Sequence, residues 1–228
     1  MSGDRDLSLH LVTDQRLPFP RVCEIVDAAV SAGVSVVQLR DKLVGGAELY
    51  ARTRRLADVV AGRATFVVDD RVDVVLAARA NGSRVDGVHL GQSDLPVDVA
   101  RVLLGPDALV GWTANTLTHL AAAGDLEPGT VDYLGVGVIR ATATKPDHPR
   151  PLGVDGFAAL AASTPLACVA IGGVGVDDVA PLRAAGAAGV AVVSLVSGAD
   201  DPTAVVRRLR AAAADGLAPL AAPTGASS

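Results

Sequence analysis

At 228 residues with a formal net charge of −5, the chain is long enough to bury a full core without disulfide or structural-metal support, and it offers no general attraction for a nucleic-acid backbone or an anionic membrane. Half of the residues are hydrophobic, yet the alanines and valines are spread among Asp, Arg and Gly, and the sequence contains no uncharged apolar run of the ~18 residues a membrane helix needs. Cys23 and Cys168 sit in apolar stretches, and the opening is acidic rather than a basic segment followed by an apolar run, so the expectation is a reduced, cytoplasmic setting.

Taken in chain order, short β-branched runs alternate with longer alanine-rich segments, the pattern of parallel strands joined by crossover helices. The predicted strands are Leu9 to Thr13, Val34 to Leu39, Thr65 to Val68, Gly87 to Leu90, Leu109 to Thr113, Tyr133 to Val138, Ala167 to Ile171 and Gly189 to Val193. Helices are predicted near 20–32, 45–61, 71–80, 96–104, 115–123, 153–162, 177–186 and 201–214. Pro96 suits a helix first turn, and Gly33, Gly105 and Gly186 stand where helices should stop. Eight strand–helix repeats with no linker between them predict one α/β domain over 1–228, a (β/α)8 TIM barrel, with frayed tails at 1–7 and 216–228. An open doubly wound sheet is the alternative, but it needs fewer strands and usually a glycine-rich first turn, whereas Thr13-Asp-Gln-Arg follows the first run.

In a barrel the active face gathers the carboxyl ends of the strands, so the residues after each strand matter most. After the second, alternation sends Gln38, Arg40 and Lys42 to one side. The chain has eighteen arginines and two lysines, Lys42 and Lys145, and both lysines follow predicted strands. A compact ammonium reaches a phosphate oxygen where a planar guanidinium does not fit. Asp69 and Asp70 end the third strand and Asp94 follows the fourth. One of the adjacent aspartates can cap the next helix, but the set exceeds what capping requires and fits a magnesium ion. His89 reads as an interior or rim histidine, because no second histidine lies at a ligand spacing.

The fifth strand delivers Trp112 and Thr113, followed by Asn115 or Thr116 as the cap of the next helix; Trp112 fits either packing or a ligand contact. The sixth is followed by a long connection holding Thr142, Thr144 and Lys145, with prolines that would stiffen a flap, and His148 is expected to be exposed. The seventh and eighth end at Gly172-Gly173 and Val193-Ser194, where barrels often bind a phosphate. Arg40, Lys42, Lys145 and the acids suit a diphosphate, and the neutral cradle of threonines, Gly173 and Ser194 suits a monophosphate. A diphosphate beside magnesium is a leaving group, which points to group transfer with loss of pyrophosphate.

Leu-Val-Thr-Asp14, Gln38-Leu-Arg-Asp-Lys42, Val-Asp69-Asp70-Arg, Gly87-Val-His-Leu-Gly-Gln92-Ser-Asp94, Gly135-Val-Gly137, Thr142-Ala-Thr-Lys145 and Ile-Gly-Gly173 resemble the thiamine-phosphate synthase family through nearly every barrel unit. The resemblance implies transfer of an aminopyrimidinylmethyl group from its diphosphate to a thiazole ethyl phosphate, with or without its carboxylate. By that resemblance Gln38, Leu39, Arg40, Asp41, Lys42, Asp69, Thr113 and Lys145 hold the pyrimidine diphosphate, with Arg40, Lys42, Thr113 and Lys145 the catalytic set. Thr142, Ala143, Thr144, Gly173, Val193 and Ser194 hold the thiazole phosphate, and Asp70 and Asp94 bind Mg2+. The implied chemistry is dissociative: pyrophosphate leaves, and the thiazole nitrogen attacks a pyrimidine-stabilised carbocation. Small phosphorylated substrates are then the partners, and exposed apolar helix faces allow a homo-oligomer.

Three departures stand out: Asp69 replaces a common asparagine, Thr113 a usual serine, and Ile139-Arg-Ala an Ile-Phe-Pro-like stretch. A carboxylate at 69 repels a diphosphate unless protonated or metal-bound, and Arg140 either alters loop closure or adds a phosphate contact. The competing readings are a thiazole tautomerase, a Schiff-base aldolase or sugar-phosphate isomerase, and a non-catalytic sensor of thiamine precursors.

Overall fold

The computed structural model describes residues 5–142 and 150–215. Eight strands, β1 (Leu9–Val12), β2 (Val36–Leu39), β3 (Thr65–Asp69), β4 (Gly87–Leu90), β5 (Leu109–Thr113), β6 (Tyr133–Gly137), β7 (Ala167–Ile171) and β8 (Gly189–Val192), close into a barrel in chain order. Every neighbouring pair is parallel, and β8 closes onto β1 with Leu11 opposite Val192. Helices α1 (Phe19–Ser31), α2 (Gly46–Val60), α3 (Val72–Ala80), α4 (Val97–Leu104), α5 (Leu117–Gly124), α6 (Gly153–Ala161), α7 (Val176–Ala184) and α9 (Pro202–Asp215) alternate with them. The fold is the (β/α)8 barrel expected from the repeats.

One element was not expected, the short helix α8 (Ser194–Ser197) directly after β8. Four residues span about one turn, too few to show helical periodicity in a sequence. The second strand starts at Val36 rather than Val34, because the Val34 N–H turns back to the carbonyl of Ala29 at the end of α1. Arg71 stands at the N-cap of α3 with no side-chain cap hydrogen bond, so neither Asp69 nor Asp70 is used as a cap. At the N-terminal edge, Leu7 packs against the barrel interior and Arg5 donates to the carbonyl of Asp107, which ties these residues down.

Period-two alternation separates two apolar layers. One set of strand residues, including Leu11, Leu39, Phe66, Val88 and Leu134, joins the inward faces of the helices. The other set, Val12, Val36, Val67, Leu109, Tyr133, Val169 and Ala191, fills the barrel itself. Tyr133 is the largest side chain there, and Gly111 makes room for it: a Cβ at 111 would lie 2.2 Å from Tyr133 Cζ. Polar residues interrupt this interior at His10, Gln38 and His89, all buried.

His10 meets Tyr133 edge-on at 5.2 Å between ring centroids, and its Nε2 has no hydrogen-bond partner among the described residues. Burial, with nearby His89, pushes its pKa from 6.5 down to about 3. Above pH 6.5 the ring is neutral whether folded or unfolded; as pH falls below that, the unfolded chain takes up a proton that the native state refuses. The stability contribution of this residue is therefore lost between pH 6.5 and about 3. In urea titrations from pH 7.5 to 4.5, the midpoint of the native chain should fall more steeply than that of His10→Gln, and parallel slopes would contradict a neutral buried imidazole.

Candidate active site

The carboxyl ends of the strands surround a cavity of about 720 Å³. Thr13, at the end of β1, sets its first wall by accepting a hydrogen bond from the Arg40 N–H at 2.9 Å and donating to the Arg40 carbonyl at 3.3 Å. This clamp keeps the chain extended past β2, so alternation continues and Gln38, Arg40 and Lys42 all face the cavity. The two residues between them do not. Leu39 is buried in the layer between barrel and helices, and the Asp41 carboxylate turns outward to accept from Arg52 Nη1 at 2.6 Å. Only alternate side chains of the Gln38–Lys42 stretch line the cavity, and those of Leu39 and Asp41 do not.

The acids lie opposite these cations. Asp70 Oδ2 is 2.7 Å from Lys42 Nζ, while Asp69 Oδ2 is 3.5 Å from Arg40 Nε and 3.9 Å from Lys42 Nζ. Burial disfavours the Lys42 ammonium, but the contacts with Asp70 and Asp69 outweigh it and raise the lysine pKa. Asp70 has φ +61°, a left-handed conformation uncommon for a side chain other than glycine, and its N–H donates to the His89 carbonyl at 2.8 Å. Asp94 Oδ2 accepts from the Gly91 N–H at 2.7 Å, and its carboxyl neighbours that of Asp70. Burial and that neighbour raise the Asp94 pKa. Burial, then Asp70, pushes Asp69 up to about 7.

Two neighbouring carboxyl groups form an oxygen donor set that fits a magnesium ion, which typically takes one or two carboxylates together with phosphate oxygens. Among the described residues no three His, Cys, Asp or Glu side chains form a fuller cage. The fit is therefore to an ion shared with an anionic ligand.

Thr113, at the end of β5, faces the cavity, and its Oγ1 lies 3.0 Å from His89 Nε2. Gln92 Nε2 donates to the Thr113 carbonyl at 2.6 Å. The neighbouring Trp112 has the opposite parity and packs with the helix layer, so it is a packing residue. Thr116 caps α5 by accepting from the His119 N–H at 3.2 Å, which leaves Asn115 free of that role; its Oδ1 accepts from the Gly137 N–H at 3.3 Å, and it lines the cavity. Thr13, His89, Gln92 and Asn115 are cavity residues that sequence reasoning did not assign. The parity of His89 with Thr113 and the strand-end position of Thr13 were the available signals.

The opposite wall is neutral. It contains Gly172, Gly173, Val193 and Ser194, with α8 starting at Ser194. Gly173 has φ +67°, and a Cβ there would come within 2.8 Å of Arg140 Cβ and the Arg140 carbonyl, so glycine is required where the β7 and β6 loops touch. Arg140 itself turns away from the cavity and donates to Asp178 Oδ1 at 2.7 Å, linking the β6 loop to α7. Thr142 lines the cavity, whereas Ala143, Thr144, Lys145 and His148 lie outside the described residues.

Residues 9–196 match the family described as thiamine monophosphate synthase. The chain belongs to this family. It is 41% identical over 197 residues to a thiamine-phosphate synthase of Psychrobacter sp., covering 86% of this chain and 90% of that one. A thiamine-phosphate synthase of Natronomonas pharaonis is 42% identical over 219 residues, covering 94% and 98%. Among solved structures, thiamine phosphate pyrophosphorylase from Pyrococcus furiosus superposes with a TM-score of 0.79 at 32% identity, covering 93% of this chain and 98% of that one. Family membership places the chain among the transferases. No described helix is long and apolar enough to cross a membrane.

Within the family fold, Asp69 is a carboxylate competing with any incoming anion for Arg40 and Lys42. Asp69→Asn removes that competition and keeps the side-chain shape. Inorganic pyrophosphate should bind this variant several-fold tighter by calorimetry, about the worth of one charge contact near a protein surface; equal or weaker binding would show that Asp69 assists the anion.

Proposed function

We propose that the chain is a thiamine-phosphate synthase, joining an aminopyrimidinylmethyl diphosphate to a thiazole ethyl phosphate and releasing pyrophosphate. The observation that carries this reading is the division of one cavity into two unlike anion-binding halves. Arg40, Lys42 and the acids form the charged half, and glycine backbone with Thr142 and Ser194 forms the neutral half. A diphosphate needs the first and a monophosphate is served by hydrogen bonds in the second.

In this reaction the bond between the pyrimidinyl methylene carbon and a diphosphate oxygen breaks, and the bonding pair leaves with pyrophosphate. The thiazole nitrogen lone pair then forms the new carbon–nitrogen bond. Neither step requires a protein nucleophile, and electrostatic stabilisation of the departing anion lowers the barrier. Arg40 and Lys42 hold the diphosphate oxygens, and Thr113 adds a hydroxyl donor. Gly173, Val193 and Ser194 fix the thiazole phosphate, so the nucleophile is confined beside the carbon it attacks. Asp70 and Asp94 would hold a magnesium ion, which supplies charge neutralisation to the diphosphate when bound. Thr144 and Lys145, which lie outside the described residues, are assigned phosphate-binding roles by the family resemblance alone; the 720 Å³ cavity leaves room for two substrates side by side.

The carboxylate pair argues against a tautomerase reading, which uses the monophosphate cradle but has no need of a divalent ion. Incubating the purified chain with both substrates and magnesium should yield thiamine phosphate and pyrophosphate, and a chelator should stop the reaction. Absence of product overturns the assignment. Asp94→Ala should lower turnover on the order of a hundredfold or more while the barrel stays folded by circular dichroism; undiminished turnover would remove Asp94 from the metal site.

A further inference from the structure

Below the cavity floor lies a polar group that the transfer reaction does not touch. Tyr133, the first residue of β6, is fully buried and is not among the cavity-lining residues. The glycine at 111 seats its ring, so the phenol oxygen is held at a fixed height in the barrel. That hydroxyl lies 3.0 Å from His89 Nδ1. His89 continues the series, its Nε2 3.0 Å from Thr113 Oγ1. One buried phenol is thus joined to two cavity-lining side chains, His89 on β4 directly and Thr113 on β5 through it.

Donor counting makes this series directional. A phenol has one proton to donate, a neutral imidazole has one donor and one acceptor, and a threonine hydroxyl has one proton. When Tyr133 donates to His89 Nδ1, His89 Nε2–H donates to Thr113, and the Thr113 proton is left for a ligand. In the reverse order Thr113 donates to His89 and has no proton for an anion. An anionic oxygen beside Thr113 therefore selects the first order along the whole series.

We propose that Tyr133 is a positioning residue for the diphosphate half of the cavity, acting through His89 to aim the Thr113 hydroxyl proton at the ligand. The inference rests on the reading of that half as a diphosphate site. Its distinctive content is the order of the protons: the Nε2–H tautomer at His89 and no direct contact between Tyr133 and the ligand.

Calorimetry with inorganic pyrophosphate and magnesium chloride on the full chain tests the coupling. Tyr133→Phe keeps the ring and removes the hydroxyl, and it should weaken binding roughly tenfold, as should Thr113→Val. Because both act at one hydroxyl, adding Tyr133→Phe to Thr113→Val should cost less than about twofold more. A full tenfold loss in both backgrounds, or no loss in either, overturns the proposal. A purely packing role for the ring would also leave single-variant binding unchanged. Nitrogen-15 spectra of the histidine side chains in the pyrophosphate-loaded native chain need no substitution: His89 should carry its proton on Nε2, and a proton on Nδ1 overturns the donor order. A native chain with the expected tautomer and binding pattern that forms no thiamine phosphate refutes the proposed reaction and leaves the relay intact.

Discussion

Closing eight parallel strands into a ring forces every strand to deliver its carboxyl end to the same rim, and the two-residue period then decides which side chains look inward. The site depends on that constraint more than on any single contact. Gln38, Asp69, His89 and Thr113 share one parity on successive strands and converge, while Leu39 and Trp112, one residue off, are lost to the helix layer. Residues more than 100 positions apart become neighbours with no loop needing to search for them.

The charged wall shows how closely opposed signs are balanced. Lys42 and Arg40 contact Asp69 and Asp70, and Asp70 meets Asp94, so the cluster holds three carboxyl groups against two cations. Burial raises the pKa of both Asp69 and Asp94, the cost of gathering acids away from water. The neutral wall has no such tension. Gly172 and Gly173 let backbone approach where side chains would collide.

Much of this was legible in the amino-acid sequence because it follows from periodicity. The eight strands and their helices, the convergence of Gln38, Arg40 and Lys42, and the pairing of acids beyond β3 and β4 all follow from alternation and strand order. What was not legible depends on tertiary neighbours. Whether Trp112 faced ligand or helices turned on a one-residue parity, and α8 was too short to leave a pattern. Arg140 was read as a modifier of the loop or a phosphate contact, but its partner Asp178 lies 38 residues away on α7 and cannot be found by spacing. The Tyr133–His89 contact, spanning β4 and β6, was invisible for the same reason.

The backbone at Asp70 has a consequence of its own. Left-handed torsion angles cost an ordinary residue on the order of 1 kcal/mol that glycine does not incur. Replacing this aspartate by glycine would relax the main chain while deleting the carboxylate that meets Lys42 and Asp94. Robustness and chemistry therefore pull in opposite directions at this corner, and selection for heat tolerance alone would tend to erode the rim.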